Sequence, residues 1–153
     1  MKIIQLIAFL FINYTLIGQV KKDNNVAVLQ NSRWNEIQEK MVGKLPDVIV
    51  LEFFNDNEPT TNKQSSFVLN GAKYSLDSCI IRDTKKNHFS SLLTCEKKEM
   101  AYDGMSFHRL TYMDWKDKIN TDFKWQFKGS EDGGKLLTWN FAKGYYMLIY
   151  YRV

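Results

Sequence analysis

Hydrophobic and polar positions alternate over most of the chain with the period of strands. Val48-Ile49-Val50-Leu51-Glu52-Phe53-Phe54 is β-branched and aromatic, and it ends in the turn-rich stretch Asn55 to Lys63. Ser66 to Leu69 reads as a short strand. Asn70-Gly71 is a strong hairpin signal, and Tyr74 to Arg82 is the returning strand. Asp83 to Asn87 is a polar loop, Phe89 to Cys95 the next strand, and Lys97-Lys98-Glu99 a turn. Met100-Ala101-Tyr102 leads to a further turn at Asp103-Gly104. Ser106 to Tyr112, Phe123 to Phe127, Leu136 to Phe141 and Tyr145 to Tyr151 complete the strand set. Gly129 and Gly133-Gly134 mark the last long hairpin.

One segment has helical spacing. Trp34, Ile37 and Met41 fall at i, i+3 and i+7 on one face. Asn31 or Ser32 can cap its free N–H groups, Gly43 suits its end, and Pro46 prevents continuation. Residues 20–30 are polar and read as a loose lead-in. The expected fold class is α+β: a mainly antiparallel sheet with a short N-terminal helix. A length of 153 residues suits one domain, and no internal repeat breaks it. It divides into an N-terminal hydrophobic segment (1–18), a lead-in with the short helix (19–44), and a strand-rich domain (45–153).

The N-terminal segment differs in kind. After Met1-Lys2, residues 3–17 are apolar except for Gln5, Asn13, Tyr14 and Thr15. The run is too short and interrupted for a stable membrane span. A charged start, an apolar run and Gly18 have the form of a secretion signal cleaved before Gln19, although Leu16 stands where a small residue is preferred. The competing reading is a buried N-terminal strand or helix of the domain.

Charge and cysteine content narrow the chemistry. The net charge of +4 comes from 21 basic and 17 acidic side chains. The basic pairs Lys21-Lys22, Lys85-Lys86 and Lys97-Lys98 have acidic neighbours and read as solvated turns. Lys124-Trp125-Gln126-Phe127-Lys128 interleaves bases and aromatics, which also describes one strand with alternating faces. No nucleic-acid partner is expected. The only cysteines are Cys79 and Cys95; no CxxC pair exists, and His88 and His108 lack metal-ligand spacing with them. Neither a metal nor a cofactor is expected. A hairpin centred near Asn87 sets Cys79 opposite Cys95, with Cα atoms about 4.5–5.5 Å apart, within disulfide reach. Cys95 lies seven positions beyond His88, more than about 20 Å along a strand, so it cannot serve as a nucleophile for that imidazole.

His88 sits where a loop enters a strand, and the following strand ends at Asp103. An antiparallel return brings the two together. A histidine oriented by a carboxylate is two of the three members of a thiol-protease triad.

Five segments then carry a resemblance. Leu45-Pro46-Asp47-Val48-Ile49-Val50-Leu51-Glu52-Phe53 is similar to an "LPxVLxxxLxRF" strand, and Tyr74-Ser75-Leu76-Asp77-Ser78-Cys79-Ile80-Ile81 to "YxLxSVI". Asn87-His88-Phe89-Ser90-Ser91 resembles a histidine box, "GHYTA" or "HFxS". Met100-Ala101-Tyr102-Asp103-Gly104-Met105 resembles "WYxYDGM", and residues 143–152 resemble a closing "AYMLxYxR" strand. In this order they resemble the C-terminal half of the ubiquitin-specific proteases and cover residues 45–153. The resemblance implies the palm half of a papain-like fold, with His88 as general base and Asp103 as its orienter. It implies ubiquitin or a ubiquitin-like protein as partner, and cytoplasm or nucleus as compartment. The family's cysteine box, "NxGNTCYxNS", and its CxxC zinc knuckles are absent, and Met100 or Ala101 stands where the tryptophan before Tyr102 is expected. The implied protein is a partial or degenerate deubiquitinase, inactive alone, that needs a chain bearing the cysteine box for hydrolysis. The alternative is a secreted, disulfide-bonded β-rich binding module without enzymatic activity, motivated by the signal-like start and the opposable cysteines.

Overall fold

The computed structural model describes residues 26–30, 34–53, 62–85 and 87–153, leaving aside the side chains of residues 34 and 35. The signal-like segment 1–18, the capping residues Asn31 and Ser32, the Trp34 side chain and most of the Asn55 to Lys63 turn lie outside the described residues. The described chain runs β1 (Val26–Gln30), α1 (Trp34–Lys40), β2 (Val48–Phe53), β3 (Ser66–Leu69), β4 (Ala72–Arg82), β5 (Phe89–Cys95) and β6 (Lys98–Tyr102). It continues through β7 (Leu110–Tyr112), β8 (Lys124–Trp125), β9 (Glu131–Asp132), β10 (Lys135–Leu136), β11 (Trp139–Asn140) and β12 (Tyr146–Arg152).

Eight strands form one sheet in the order β1-β2-β12-β4-β5-β6-β7, with β3 also paired to β4. The β1–β2 pair is parallel and the other pairs are antiparallel, so the sheet is mixed. One seven-residue helix among the described residues makes the α part slight. The sequence expectation of a loose lead-in over 20–30 is corrected at its end. Val26-Ala27-Val28-Leu29 is too short to show a period, but it pairs residue for residue with Val48-Ile49-Val50-Leu51. Asn70 (φ 49°) and Gly71 (φ 81°) both adopt the left-handed conformation that a two-residue hairpin turn needs. Glu96 and Lys97 do the same without glycine, so that turn falls just before the expected Lys97-Lys98-Glu99. The later strands are shorter than the pattern predicted, because residues 113–142 spend much of their length in turns and loops.

The sheet has two apolar faces. Ile49 and Leu51 of β2, Tyr146, Leu148 and Tyr150 of β12, Leu92 of β5 and Ala101 of β6 share the first. Ile37 and Met41 of the helical region cover it, together with Trp115, Ile119, Trp125, Phe127, Leu137, Trp139 and Phe141. Trp125 and Phe127 point into this core while Lys124, Gln126 and Lys128 are exposed, so the basic–aromatic stretch offers no ring for stacking. Val48 and Val50, Met147 and Ile149, Ile80 and Leu93 share the second face.

In β4 the alternation changes phase. Tyr74 and Leu76 face the first core, and so do Cys79 and Ile81. The β12 register slips at this point: Ile149 pairs with Ser78 but Tyr150 with Leu76, which leaves Asp77 as a bulge. The Thr94 hydroxyl takes the bulge carbonyl at 2.8 Å.

The expected Cys79–Cys95 pair does not form; both are free, Cys79 buried and Cys95 exposed. Cys79 lies opposite Leu92, and Cys95 opposite Lys98 of the next strand. The cause is the loop side chain Asp83. Its carboxylate accepts the N–H groups of Lys85 (3.1 Å) and His88 (3.3 Å), and its own N–H donates to the His88 carbonyl (2.9 Å). That closes the hairpin earlier than a centre at Asn87. The partner of Cys79 shifts by three residues, an odd number that turns Cys95 to the other side.

Candidate functional site: a histidine–aspartate–serine cluster

His88 is the last residue before β5 and Asp103 the first after β6. The register that sets Leu92 opposite Ala101 on the first face brings residues 88 and 103 to the same end of that face. His88 Nε2 meets Asp103 Oδ1 at 2.6 Å. The Asp103 side chain is 1% exposed and that of His88 is 27% exposed, so a buried carboxylate holds a ring that still meets solvent. Both residues proposed from the sequence are thus brought together.

Three further contacts fix the carboxylate. The Ser130 hydroxyl, fully buried, donates to Asp103 Oδ2. The Met105 N–H points to Oδ1 at 3.4 Å. The Asp103 backbone is held by its N–H to the Arg109 carbonyl (3.0 Å), and its carbonyl accepts from the Ser106 hydroxyl (2.9 Å). Ser130 is set in turn by its N–H to the Phe127 carbonyl (3.1 Å), while its own carbonyl accepts from Leu137 (2.9 Å). Gly129 precedes it at φ 91°, and the Phe107 ring lies where a side chain at 129 would stand. The buried Trp139 ring meets the His88 ring edge to face, with centroids 5.9 Å apart.

This arrangement decides which nitrogen is available. With Nε2 against a carboxylate, the neutral imidazole carries its proton there, and Nδ1 keeps the lone pair. No described residue hydrogen-bonds Nδ1. The cluster can therefore accept a proton at one defined atom from a group arriving in front of the ring.

Neither thiol of the chain can be that group. Cys79 is buried beneath the sheet, and desolvation pushes its pKa up to about 12, so it stays a thiol. Cys95 is at the far end of β5, about 23 Å from His88 at strand spacing. Among the described residues, no group of three or more His, Cys, Asp or Glu is gathered to hold a metal ion. Nor is any helix among them long and apolar enough to cross a membrane.

Ser130 was not picked out from the sequence. It sits 27 residues from Asp103, in a stretch legible only as a hairpin approach, and nothing local marks it. Next to the cluster runs the β7 edge of the sheet, which pairs with no further strand among the described residues. All three residues of β7 are exposed, and a cleft of about 280 Å³ lies between Ala101, Thr111 and Tyr112 on one side and Trp125 and Phe127 on the other.

No family model and no curated protein matches the chain. Among solved structures, it is similar to a crystal structure of an essential yeast splicing factor, at 12% sequence identity with a TM-score of 0.46. That likeness covers 84% of this chain and 36% of the other, so the chain spans little more than a third of that structure's length.

Proposed function

We propose that this chain is a ubiquitin-specific-protease-like half-domain that keeps the base and orienter of a thiol-protease triad and lacks its nucleophile. The observation that carries the reading is the 2.6 Å contact of His88 Nε2 with the buried Asp103 carboxylate. In thiol hydrolysis the base takes the proton of a cysteine within hydrogen-bond reach, and a carboxylate or amide holds the base from behind. His88 has the second relationship, with Nδ1 left for the first. The sheet that carries it corresponds, on this reading, to the palm half of a papain-like fold. The thiol comes from a separate chain bearing the cysteine box, or does not come at all.

Without a thiol the chain is a binding module for the extended tail of ubiquitin or a ubiquitin-like protein. The β7 edge supports this. An extended peptide gains affinity by adding main-chain hydrogen bonds to such an edge, and β7 leads back to Asp103 through the Asp103–Arg109 backbone bond.

The test uses the purified chain. We expect no hydrolysis of ubiquitin–fluorophore substrates and no adduct with ubiquitin electrophile probes. NMR titration of labelled ubiquitin is expected to perturb the C-terminal tail resonances. Turnover by the chain alone would refute the missing-nucleophile reading, and an unperturbed tail would refute the partner. The secreted disulfide-bonded module loses one of its two motivations, because Cys79 and Cys95 are not opposed.

A further inference from the structure

Asn70-Gly71 is the one Asn-Gly pair in the chain, and the Asn70 side chain does more than suit a turn. Its amide nitrogen donates to the carbonyls of Met41 at 2.7 Å and Lys44 at 2.8 Å, 29 and 26 residues away. A side-chain amide nitrogen has two protons to give, and both are in use. The two carbonyls belong to the turn that ends the helical region. There the Met41 N–H donates to the Ile37 carbonyl and the Lys44 N–H to the Met41 carbonyl, while Gly43 takes φ 69°. Carbonyls at a helix end have no partner within the helix. Asn70 supplies one from the β3–β4 hairpin. It thereby fastens the segment carrying Ile37 and Met41 to the strand end carrying Leu69, and all three share the first core.

The same pair carries a latent reaction. Asparagine is thermolabile because the backbone nitrogen of the next residue can attack its side-chain carbonyl carbon, and glycine, lacking a side chain, hinders that approach least. The Gly71 nitrogen gives its proton to water and bonds to Asn70 Cγ. The Cγ–Nδ2 bond breaks, and the nitrogen takes a proton from water and leaves as ammonia. Water then opens the cyclic imide at either carbonyl. The product is aspartate or, with the main chain rerouted through Cβ and Cγ, isoaspartate. One water is consumed, one ammonia is released, and no oxidant or reductant takes part. At neutral pH either product is a carboxylate, which accepts hydrogen bonds and donates none. A double donor facing two carbonyl oxygens becomes an anion facing them.

We infer that Asn70 is a site of spontaneous deamidation, and that the reaction is a one-way release of the clamp between the β3–β4 hairpin and the end of the helical region. The bonds to Met41 and Lys44 hold Nδ2, the leaving group, and the hairpin fixes the backbone of both reacting residues. The amide must let go of the two carbonyls before Cγ can swing onto the Gly71 nitrogen. Opening of the 41–44 turn therefore admits the reaction, and the product cannot close the clamp again. The only reactant supplied from outside is water. This inference rests on neither the protease reading nor its partner and survives the failure of both.

The experiment ages the full chain at neutral pH, native and in denaturant, and follows the tryptic peptide 64–73 by mass spectrometry. The mass gain of an NH2-to-OH exchange is expected at Asn70, at least about tenfold slower in the native protein, the worth of its two hydrogen bonds. Gly43→Val strains the turn at φ 69° without touching the reacting pair, and nothing lies within 4 Å of the added Cβ. It should speed the native reaction several-fold. In Asn70→Asp the Met41 and Lys44 N–H groups should exchange hydrogen faster, while the Leu137 N–H, bonded to the Ser130 carbonyl, keeps its rate. If Leu137 is accelerated as well, that variant has unfolded, and the wild-type and Gly43→Val rates decide. The idea is overturned by equal native and denatured rates, by a native rate that Gly43→Val leaves unchanged, or by a folded Asn70→Asp in which Met41 and Lys44 exchange as before.

Discussion

The Ser130 hydroxyl and the His88 imidazole hold opposite oxygens of one buried carboxylate, Asp103, so neither contact can move without loading the other. This three-residue arrangement, drawn from two hairpins and a loop, makes the ring orientation a property of the fold and independent of any bound partner.

Removing one support therefore has a defined effect. Ser130→Ala leaves Asp103 Oδ2 buried without its donor and is expected to cost about 1–3 kcal/mol in chemical denaturation. Asp103→Asn keeps an acceptor for His88 and is expected to preserve the Nε2–H tautomer in long-range nitrogen–proton NMR. Asp103→Ala removes the acceptor, and the tautomer preference should be lost. If the preference persists in Asp103→Ala, the carboxylate does not orient the ring.

A buried lysine supplies a pH signature. Lys63 is 4% exposed, its ammonium donates to the carbonyls of Ile119 and Phe141 at 2.9 Å, and it lies 4.7 Å over the Tyr146 ring. Desolvation lowers its pKa from 10.5 to about 8. Between these values the unfolded chain binds the proton and the folded chain does not, so this group makes stability rise with pH from about 8 to 10.5; below pH 8 its burial cost is constant. Cys79 and Tyr150 act in the opposite sense, since burial raises both. The difference between wild type and Lys63→Met isolates the lysine. It should change in favour of wild type over this window by on the order of 3 kcal/mol, read as unfolding midpoints at several pH values. A flat difference would mean that Lys63 is solvated.

The β7 edge predicts where a tail binds. Asp103 and Met113 already bond across to Arg109 and Glu99, so in the β6–β7 ladder Thr111 faces β6, and Leu110 and Tyr112 turn their main-chain groups outward. Leu110→Pro deletes an outward N–H and no ladder bond. It should leave the unfolding midpoint nearly unchanged and weaken ubiquitin-tail binding about 5–10-fold, the worth of one hydrogen bond, by calorimetric titration. Unchanged affinity moves the tail elsewhere.

The two thiols should differ in reactivity. In native protein one equivalent of a disulfide reagent should react at once, at Cys95, and the second only on unfolding. A protein that shows no native thiol under non-reducing conditions would contradict the register in which Cys79 faces Leu92.

Much of this architecture can be read from local patterns. Asn70-Gly71 announces its hairpin because two consecutive left-handed residues favour that pair. The meeting of His88 with Asp103 follows from successive antiparallel strands and needs no tertiary knowledge. Where reading failed, a side chain had taken over from the pattern. Asp83 binds two loop N–H groups and resets the register that the cysteines seemed to specify. Ser130 joins the cluster through a contact between distant hairpins, which no periodicity encodes. β1 becomes a strand only because β2 offers it a parallel edge.

The irregularity at Asp77 has a wider consequence. It splits β4 into two independently phased halves, so the strand is not one reading frame in space. Were Asp77 to take a regular place in the alternation, inner and outer identities would swap for everything on one side of it, presenting Ser78 and Ile80 where Cys79 and Ile81 now sit. Deleting Asp77 would leave Leu76 inward, Ser78 outward and Cys79 inward, the faces they hold now, so the interior depends on this extra residue staying out of the alternation.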